Sequence, residues 1–255
     1  MQPERFVTCG LVLRETVTRD ADKILTVLTL DRGRLSVIAR GARRKGSRVA
    51  AACQLLAYSE MTLYEKGRWT MLDAADTIEL FDGLRQDLTA LSLAAYFAEL
   101  TEAVSDGCGG DVLPLLLNAL YALSALKKPP QLVKPAFQFR LMALAGYEPM
   151  ADGCALCGAP QPENPMLDVV HGVVHCGKCR EKGGLSLPLT ASGLAALRYV
   201  LYGDPRRLYS FSLPPEGLRA LNHAADAYVS AQLERSFRTL DYYKTILPQE
   251  ETKYE

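Results

Sequence analysis

Two pairs of closely spaced cysteines carry the clearest chemical signal in this sequence. Cys154, Cys157, Cys176 and Cys179 follow the pattern Cys-x2-Cys-x18-Cys-x2-Cys, within the spacing range of four-thiolate zinc sites. Two intervening residues let each pair form a tight turn, and two such turns complete a tetrahedron with zinc–sulfur distances of about 2.3 Å. We therefore predict one structural Zn²⁺ ion held by these four residues.

Alternatives for the cysteines stay open at this point. They could be unrelated reduced pairs, or a redox site, although a redox Cys-x-x-Cys needs one pair and a thioredoxin-like βαβ setting. A catalytic zinc ion needs an open position for water, which four thiolates fill. His175 could replace one cysteine, but we interpret it as a surface or hairpin residue. We interpret Cys9, Cys53 and Cys108 as small apolar fillers.

A run of basic residues is the second feature of the sequence that could bind a ligand. Segment 40–48 holds five basic side chains among glycines that free the backbone, namely Arg40, Arg43, Arg44, Lys45 and Arg48. Residues 1–48 carry 11 basic and 5 acidic side chains, a balance of +6, whereas residues 49–150 carry 7 and 12, a balance of −5. Such a run is typical of a surface that follows phosphates without sequence preference. The alternative is a solvated loop.

Further candidates lie in the same N-terminal region. Basic residues that could extend the phosphate track are Arg14, Arg19, Arg32 and Arg34. Candidates for base stacking are Phe6, Tyr58, Tyr64 and Trp69. We interpret Tyr58 and Trp69 as core residues of a small barrel.

The familiar motifs of enzyme sites do not occur in the sequence. It has no Gly-x4-Gly-Lys-Ser/Thr loop, no Gly-x-Ser-x-Gly elbow and no His-Glu-x-x-His pair. A nucleobase deaminase would need His-x-Glu upstream of Pro-Cys-x-x-Cys, and neither part is present. His223 lies in an alanine-rich segment, and we interpret it as a packed or surface residue. The sequence favours a non-enzymatic protein over a zinc-dependent hydrolase.

The elements that must position these residues change character near residue 82. Before it, β-branched runs predict strands at 6–14, 23–29, 34–40, 59–64 and 69–78. This meander favours a small closed barrel of the OB type, and an SH3-like barrel would give a similar pattern. After it, helical periodicity predicts helices at 84–104, 112–126, 132–146, 190–202 and 215–247, with Thr190 as an N-cap.

The predicted fold class is thus α+β. An OB-type DNA-binding barrel at 1–80 precedes an α-helical domain at 81–150 and 184–255, into which the zinc module at 151–183 is inserted. The longest apolar stretch, 113–126, is too short to span a bilayer, and no targeting signal is visible, so we expect a cytoplasmic protein. We expect residues 248–255 to form a disordered acidic tail.

Six short motifs occur in an order that is specific to one family. They lie at residues 10–13, 33–44, 96–100, 137–141, 146–149 and 154–158, and the second cysteine pair follows them. This series, which covers residues 6 to about 180, resembles the bacterial RecO family of DNA repair and recombination proteins. The C-terminal helices match the family only in character.

The resemblance implies more than the residues show by themselves. Members of the family have an N-terminal OB domain and a helical domain with a zinc insert. They bind single- and double-stranded DNA and anneal complementary strands without ATP. With RecR they help to load RecA onto strands coated by SSB, whose acidic and apolar C-terminal tail binds the helical domain. Some members lack the cysteines, which argues against zinc as the chemical centre.

Carried onto this chain, the resemblance implies two sets of site residues. The expected DNA contacts are Arg40, Arg43, Arg44, Lys45 and Arg48, with Arg34 as a supporting charge. The expected cationic rim for the SSB tail consists of Arg140 and Lys134. A nucleoid-associated bacterial protein follows from this reading. The competing hypothesis is a protein-binding scaffold whose basic loop is incidental.

Overall fold

The computed structural model describes residues 4–18, 21–105, 110–179 and 184–247. We made predictions for Arg19, for Cys108 and for the tail at 248–255, and these residues lie outside the described ranges. Within the described ranges, no helix combines the length and the apolar character that a membrane crossing requires.

Five strands form a closed N-terminal barrel. They are β1 (Arg5–Thr18), β2 (Asp22–Thr29), β3 (Gly33–Ala39), β4 (Tyr58–Lys66) and β5 (Trp69–Glu79). Around the barrel the order is β1-β2-β3-β5-β4, and β4 pairs with β1 to close it. β3 and β5 run parallel, whereas all other neighbours are antiparallel. This Greek-key order is that of the OB fold, so the OB-type prediction is confirmed.

Alternating side chains along the strands fill the barrel. Val12, Leu25, Val27 and Val37 are fully buried inside it. Of the residues beside them in the chain, Ser36 is exposed and Thr26 is partly buried, whereas Leu11, Leu13 and Leu28 are buried in a different cluster. A Cβ atom at Gly10 would lie 2.5 Å from Cγ1 of Val27. Only glycine therefore fits where β1 crosses this part of β2.

The connection between β3 and β4, residues 40–57, covers part of the barrel interior. Next to an irregularity in β1, Leu56 donates its N–H to the Val12 carbonyl over 2.9 Å, and Val12 donates to the Ala57 carbonyl over 3.1 Å. Cys53 packs into the barrel core, and burial raises the pKa of its thiol to about 11. Cys53 is an apolar filler, as predicted.

Helices follow the barrel along the described residues. They are α1 (Asp82–Arg85), α2 (Leu88–Val104), α3 (Val112–Ser124), α4 (Pro130–Leu144), α5 (Ala191–Tyr202), α6 (Pro215–Leu233) and α7 (Arg238–Ile246). Thr190 caps α5 as predicted, because its Oγ1 accepts the Gly193 N–H over 2.9 Å. Gly146 has a φ of +89° just beyond α4, which fits the predicted helix-terminating glycine.

Two predicted helices are each divided in the structure. The first is interrupted at Asp87, whose carboxylate accepts the N–H groups of Thr89 and Ala90 and so begins α2. The last is interrupted at Glu234, which has a φ of +50° and ends α6. Neither position breaks the apolar periodicity of the sequence, so a pattern of hydrophobic residues cannot reveal these breaks.

The core between the helices also includes a few residues of the barrel strands. The rings of Phe97 on α2 and Phe137 on α4 stack with centroids 4.0 Å apart. Leu11, Leu13 and Leu28 from the barrel belong to the same buried cluster. These three barrel residues therefore pack with the helices, whereas a separate cluster fills the barrel interior.

Candidate metal centre and nucleic-acid surface

The four predicted cysteine ligands come together between α4 and α5. All four sulfur atoms lie within 4.8 Å of one another, so the group could hold a metal ion. Each pair forms a tight turn: Gly158 donates its N–H to the Cys154 carbonyl over 2.8 Å, and Cys179 donates to the Cys176 carbonyl over 3.0 Å. The geometry favours the metal-site interpretation over two unrelated thiol pairs.

Backbone amides stabilise a thiolate at the first ligand. The N–H groups of Cys157 and Cys176 donate to Sγ of Cys154 over 3.5 and 3.3 Å. Burial by itself raises the pKa of Cys154, but these backbone hydrogen bonds outweigh burial and lower the pKa to about 6. A thiolate is the form in which cysteine binds a metal.

A small sheet carries the second cysteine turn. It consists of β6 (Met166–Asp168), β7 (Val173–His175) and β8 (Ser186–Pro188), in the order β7-β6-β8. His175 lies in the hairpin as predicted, but it is buried rather than on the surface. Its Nδ1 contacts the Cys176 carbonyl and its Nε2 contacts Oγ of Ser186, each over 2.8 Å. Both ring nitrogens are engaged within the sheet.

Arg198 on α5 fastens this module to the helices. Its Nε donates to the Ala151 carbonyl over 2.6 Å, and its Nη2 donates to the carbonyls of Asp152 and Pro160 over 2.9 and 2.8 Å. The sequence did not reveal this residue, because a single basic side chain in a helix carries no signal of its partner.

The five cations of the basic run are exposed on the connection that follows β3. The connection is a series of turns, in which Gly41 and Gly46 have φ values of +63° and +76°. Gly41 donates its N–H to the Asp22 carboxylate over 2.8 Å, which fixes the start of the loop beside β2. Arg40, Arg43, Arg44, Lys45 and Arg48 are therefore all exposed within this one loop of the barrel.

Arg34 does not lie beside that loop. It lines a cleft between the barrel and α2, where its guanidinium donates to the Glu102 carbonyl. Arg14 lines the same cleft and forms an ion pair with the Glu102 carboxylate over 2.8 Å. Arg14 and Arg34 thus connect the barrel to α2, and their contact with phosphates stays a prediction. The guanidinium of Arg32 lies 4.0 Å from the centroid of the Phe6 ring.

Trp69 is not a core residue, contrary to our interpretation. Its side chain is 46% exposed at the start of β5, and the guanidinium of Arg68 lies 4.8 Å from its ring centroid. Tyr58 is partly buried and packs against the core, as expected. Alternation along β5 does not reveal this orientation, because Met71 on the same face is also apolar; the pairing of Met71 with Ile38 shows that this face lies outside the barrel interior.

The two residues expected to form a cationic rim have different environments. Lys134 is only 5% exposed, and its ammonium forms an ion pair with Asp226 on α6. This burial corrects the prediction that Lys134 lies on a binding surface. Arg140 is partly exposed and donates to the Leu201 carbonyl.

Arg140 lines a groove of about 340 Å³ between α3, α4 and the turn after α5. Pro114, Leu115 and Leu144 give this groove an apolar lining, and Arg206 supplies a second cation. Asp111 lies at the same groove. Arg206 was not predicted, although the basic pair Arg206-Arg207 shortly after a predicted helix is a signal of exposure.

Comparisons with known proteins cover almost the whole chain. Residues 1–81 match the family model described as Recombination protein O N terminal, and residues 85–241 match Recombination protein O C terminal. The chain is 31% identical to the DNA repair protein RecO of Acetivibrio thermocellus, over 94% of this chain and 96% of that protein.

Two further relatives agree with this match. The DNA repair protein RecO of Symbiobacterium thermophilum is 31% identical, over 93% of this chain and 96% of the relative. That of Heliobacterium modesticaldum is 34% identical, over 93% and 88%. With an OB barrel, a basic barrel loop and a cysteine cluster between helices, the chain belongs to the RecO family of DNA repair and recombination proteins.

Proposed function

We propose that this protein is a DNA-annealing and recombination mediator without enzymatic activity. It binds single- and double-stranded DNA, anneals complementary strands without ATP, and with RecR assists the loading of RecA onto SSB-coated strands. The observation that carries this proposal is the exposed cluster of five cations on the loop at 40–48.

The mechanism follows from the electrostatics of that loop. Two DNA strands repel each other through their phosphates, and each carries condensed counterions. Exposed cations on the barrel loop neutralise phosphates and release these counterions, so both strands can lie close together. The cations contact the backbone and leave the base edges free, so the bases pair with each other.

The groove beside Arg140 supports the proposed contact with SSB. Its apolar lining from Pro114, Leu115 and Leu144 suits the apolar side chains of the SSB tail, and Arg140 and Arg206 suit its carboxylates. Arg140 and Arg206 both line this groove, which makes it a better site than the buried Lys134.

We further propose that the bound metal is zinc and that its role is structural. Four thiolates in tetrahedral arrangement are typical of Zn²⁺ and leave no coordination position for water. Cys154, Cys157, Cys176 and Cys179 would hold the ion and keep the two turns together. The surrounding segment, residues 151–190, has 3 basic and 4 acidic side chains, which argues against a DNA-gripping finger.

An annealing assay tests the mediator proposal. Complementary labelled oligonucleotides are mixed with the protein at low salt without nucleotide cofactor, and duplex formation is followed by fluorescence. We expect acceleration by the native protein and a large loss with Arg44→Ala/Arg48→Ala. The control Lys178→Ala/Arg219→Ala removes two exposed cations from the cysteine module and from α6, and should anneal normally. Failure of the native protein to accelerate annealing would refute the proposal.

A further inference from the structure

The C-terminal half of β5 has one edge without a neighbouring strand. β4 pairs with β5 from Trp69 to Glu79, whereas β3 pairs only with Thr70 and Met71 and then ends at Ala39. Beyond Met71, no strand of the described ranges pairs with the edge of β5 that faces away from β4. In residues 73–79, alternate residues direct their main-chain N–H and C=O groups to this edge, where no strand receives them.

Residues 73–79 are accessible to a partner. Six of the seven are exposed, and Ala75 is partly buried. Because successive side chains of a strand point to opposite sides, solvent reaches both sides of β5 here. Ile78 is 55% exposed, and Ala74 is exposed as well, so apolar side chains lie beside the free main-chain groups. An edge of this kind is a surface to which an extended peptide adds as a further strand.

Two carboxylates give this edge its charge. Glu60 on β4 lies directly opposite Asp76 on β5, and both side chains are exposed. Like charges that face each other on an antiparallel pair destabilise it. In the part of the chain that the structure describes, neither carboxylate forms an ion pair, whereas Arg5 neutralises Asp73 over 2.8 Å. Glu60 and Asp76 therefore present negative charge that a cation from a partner could balance.

The same charges decide which partner fits. The β5 edge of a second copy would place another acidic strand against the first, so the carboxylates disfavour a dimer through this edge. They repel the phosphates of nucleic acids for the same reason. A strand with a Lys or Arg side chain opposite Asp76 would instead offset the repulsion between Asp76 and Glu60. Charge complementarity thus selects a basic protein segment.

We propose that residues 73–79 of β5 bind an extended, basic segment of a partner protein, which pairs with the strand and so enlarges the β4–β5 sheet. Main-chain hydrogen bonds supply the affinity, and a Lys or Arg side chain opposite Asp76 supplies the selectivity. This surface lies outside the basic loop at 40–48, and its role goes beyond the proposed DNA annealing and does not depend on it.

Two synthetic peptides of equal charge test the pairing. The first is a capped eight-residue peptide of alternating Lys and Val, and the second has the same sequence with every main-chain nitrogen methylated, which removes its N–H donors. Isothermal calorimetry with the native protein at low salt measures both. We expect the first peptide to bind at least about tenfold more tightly, because only it can form strand hydrogen bonds. Nuclear magnetic resonance should place its cross-strand contacts at residues 73–79.

Variants test the charge. Glu60→Gln/Asp76→Asn should weaken binding of the Lys-Val peptide about tenfold, because the cation loses its counter-charge. Its melting temperature should not fall, since the substitution removes a like-charge pair. The control Glu216→Gln/Asp241→Asn removes two exposed carboxylates on α6 and α7 and changes the net charge by the same amount. It should bind the peptide as the native protein does.

Several outcomes would overturn the inference. Absence of binding by the Lys-Val peptide, or equal binding by the methylated peptide, would show that no strand is added. Equal effects of the two double variants would reduce the contact to a general attraction between opposite charges. Peptide contacts at other residues would place the site elsewhere. Sedimentation that shows a dimer of the free protein, with residues 73–79 in its interface, would assign the edge to a second copy.

Discussion

The sulfur atom of Cys154 accepts a hydrogen bond from the backbone N–H of Cys176 over 3.3 Å, although 22 residues separate the two in the chain. The first cysteine turn is thus linked to the second by a hydrogen bond within the protein itself, in addition to the metal ion that we propose the two turns share. Arg198 then connects the first turn to α5. Hydrogen bonds therefore join the two cysteine turns to each other and the first turn to α5. Loss of the cysteine module should destabilise the helical domain.

Replacement of one ligand tests this structural role. We expect Cys176→Ser to lower the melting temperature by about 5–10 °C, because loss of a metal site removes stabilisation of the folded state. DNA affinity per folded molecule should stay within about twofold of the native value. Calorimetry and anisotropy on the folded fraction measure the two effects. A large loss of affinity with unchanged melting temperature would return DNA binding to the cysteine module.

The salt dependence of DNA binding tests the basic loop. If Arg44 and Arg48 each neutralise one phosphate, Arg44→Ala/Arg48→Ala should reduce the slope of log K against log salt concentration by about 1.8 for duplex DNA and about 1.4 for single strands. Anisotropy titrations at several salt concentrations give the slope. The Lys178→Ala/Arg219→Ala control should keep the native slope. An unchanged slope in the loop variant would show that these side chains do not contact phosphates.

A substitution of Arg206 tests whether the groove that Arg140 and Arg206 line binds the SSB tail. We expect Arg206→Ala to weaken binding of an acidic, apolar SSB-tail peptide about tenfold, because a charge-assisted contact to a carboxylate is lost. Arg207→Ala is the matched control, since Arg207 is also exposed but does not line the groove. Isothermal calorimetry with the peptide measures both. Equal effects of the two substitutions would indicate a general electrostatic attraction.

The buried ion pair beneath α7 should make stability depend on pH. Burial alone would raise the pKa of Asp226, but Lys134 and Lys244 outweigh it and hold this pKa below its usual value. The stabilisation is therefore complete above the unfolded-state pKa of about 3.9, and it is lost as the pH falls through the lower folded-state pKa.

A substitution isolates this contribution. Asp226→Asn should cost about 3 kcal/mol of unfolding free energy at pH 7, because it leaves the Lys134 ammonium buried without its counter-charge. It should also flatten the acid dependence below about pH 4. Urea unfolding at several pH values measures both effects. Asp241→Asn changes an exposed carboxylate on α7 and should do neither.

The sequence was sufficient to predict the features that depend on residues close to one another in the chain. The cysteine ligands have a diagnostic spacing, the barrel strands alternate, and the Thr190 cap depends on neighbours within one turn. The Recombination protein O family matches confirm the family that the ordered motifs predicted.

The sequence was insufficient where the answer depends on a distant partner. Lys134 is buried because Asp226, 92 residues later, lies opposite it, and Arg34 turns away from the basic loop because Glu102 lies beside it. Trp69 was misplaced for a related reason. A large aromatic residue in a small barrel is usually core, and only the register of β5 against β3 shows that this one points outward.

The pairing of β5 with β3 also bears on the stability of the closed barrel. β3 and β5 pair through only Val37 with Thr70 and Ile38 with Met71, whereas every other seam of the barrel has a longer ladder. The barrel is closed at this point by the shortest of its strand pairings. Amide hydrogen exchange should therefore be faster for the amides that join β3 to β5 than for those in the longer ladders, because fewer neighbouring hydrogen bonds must open together.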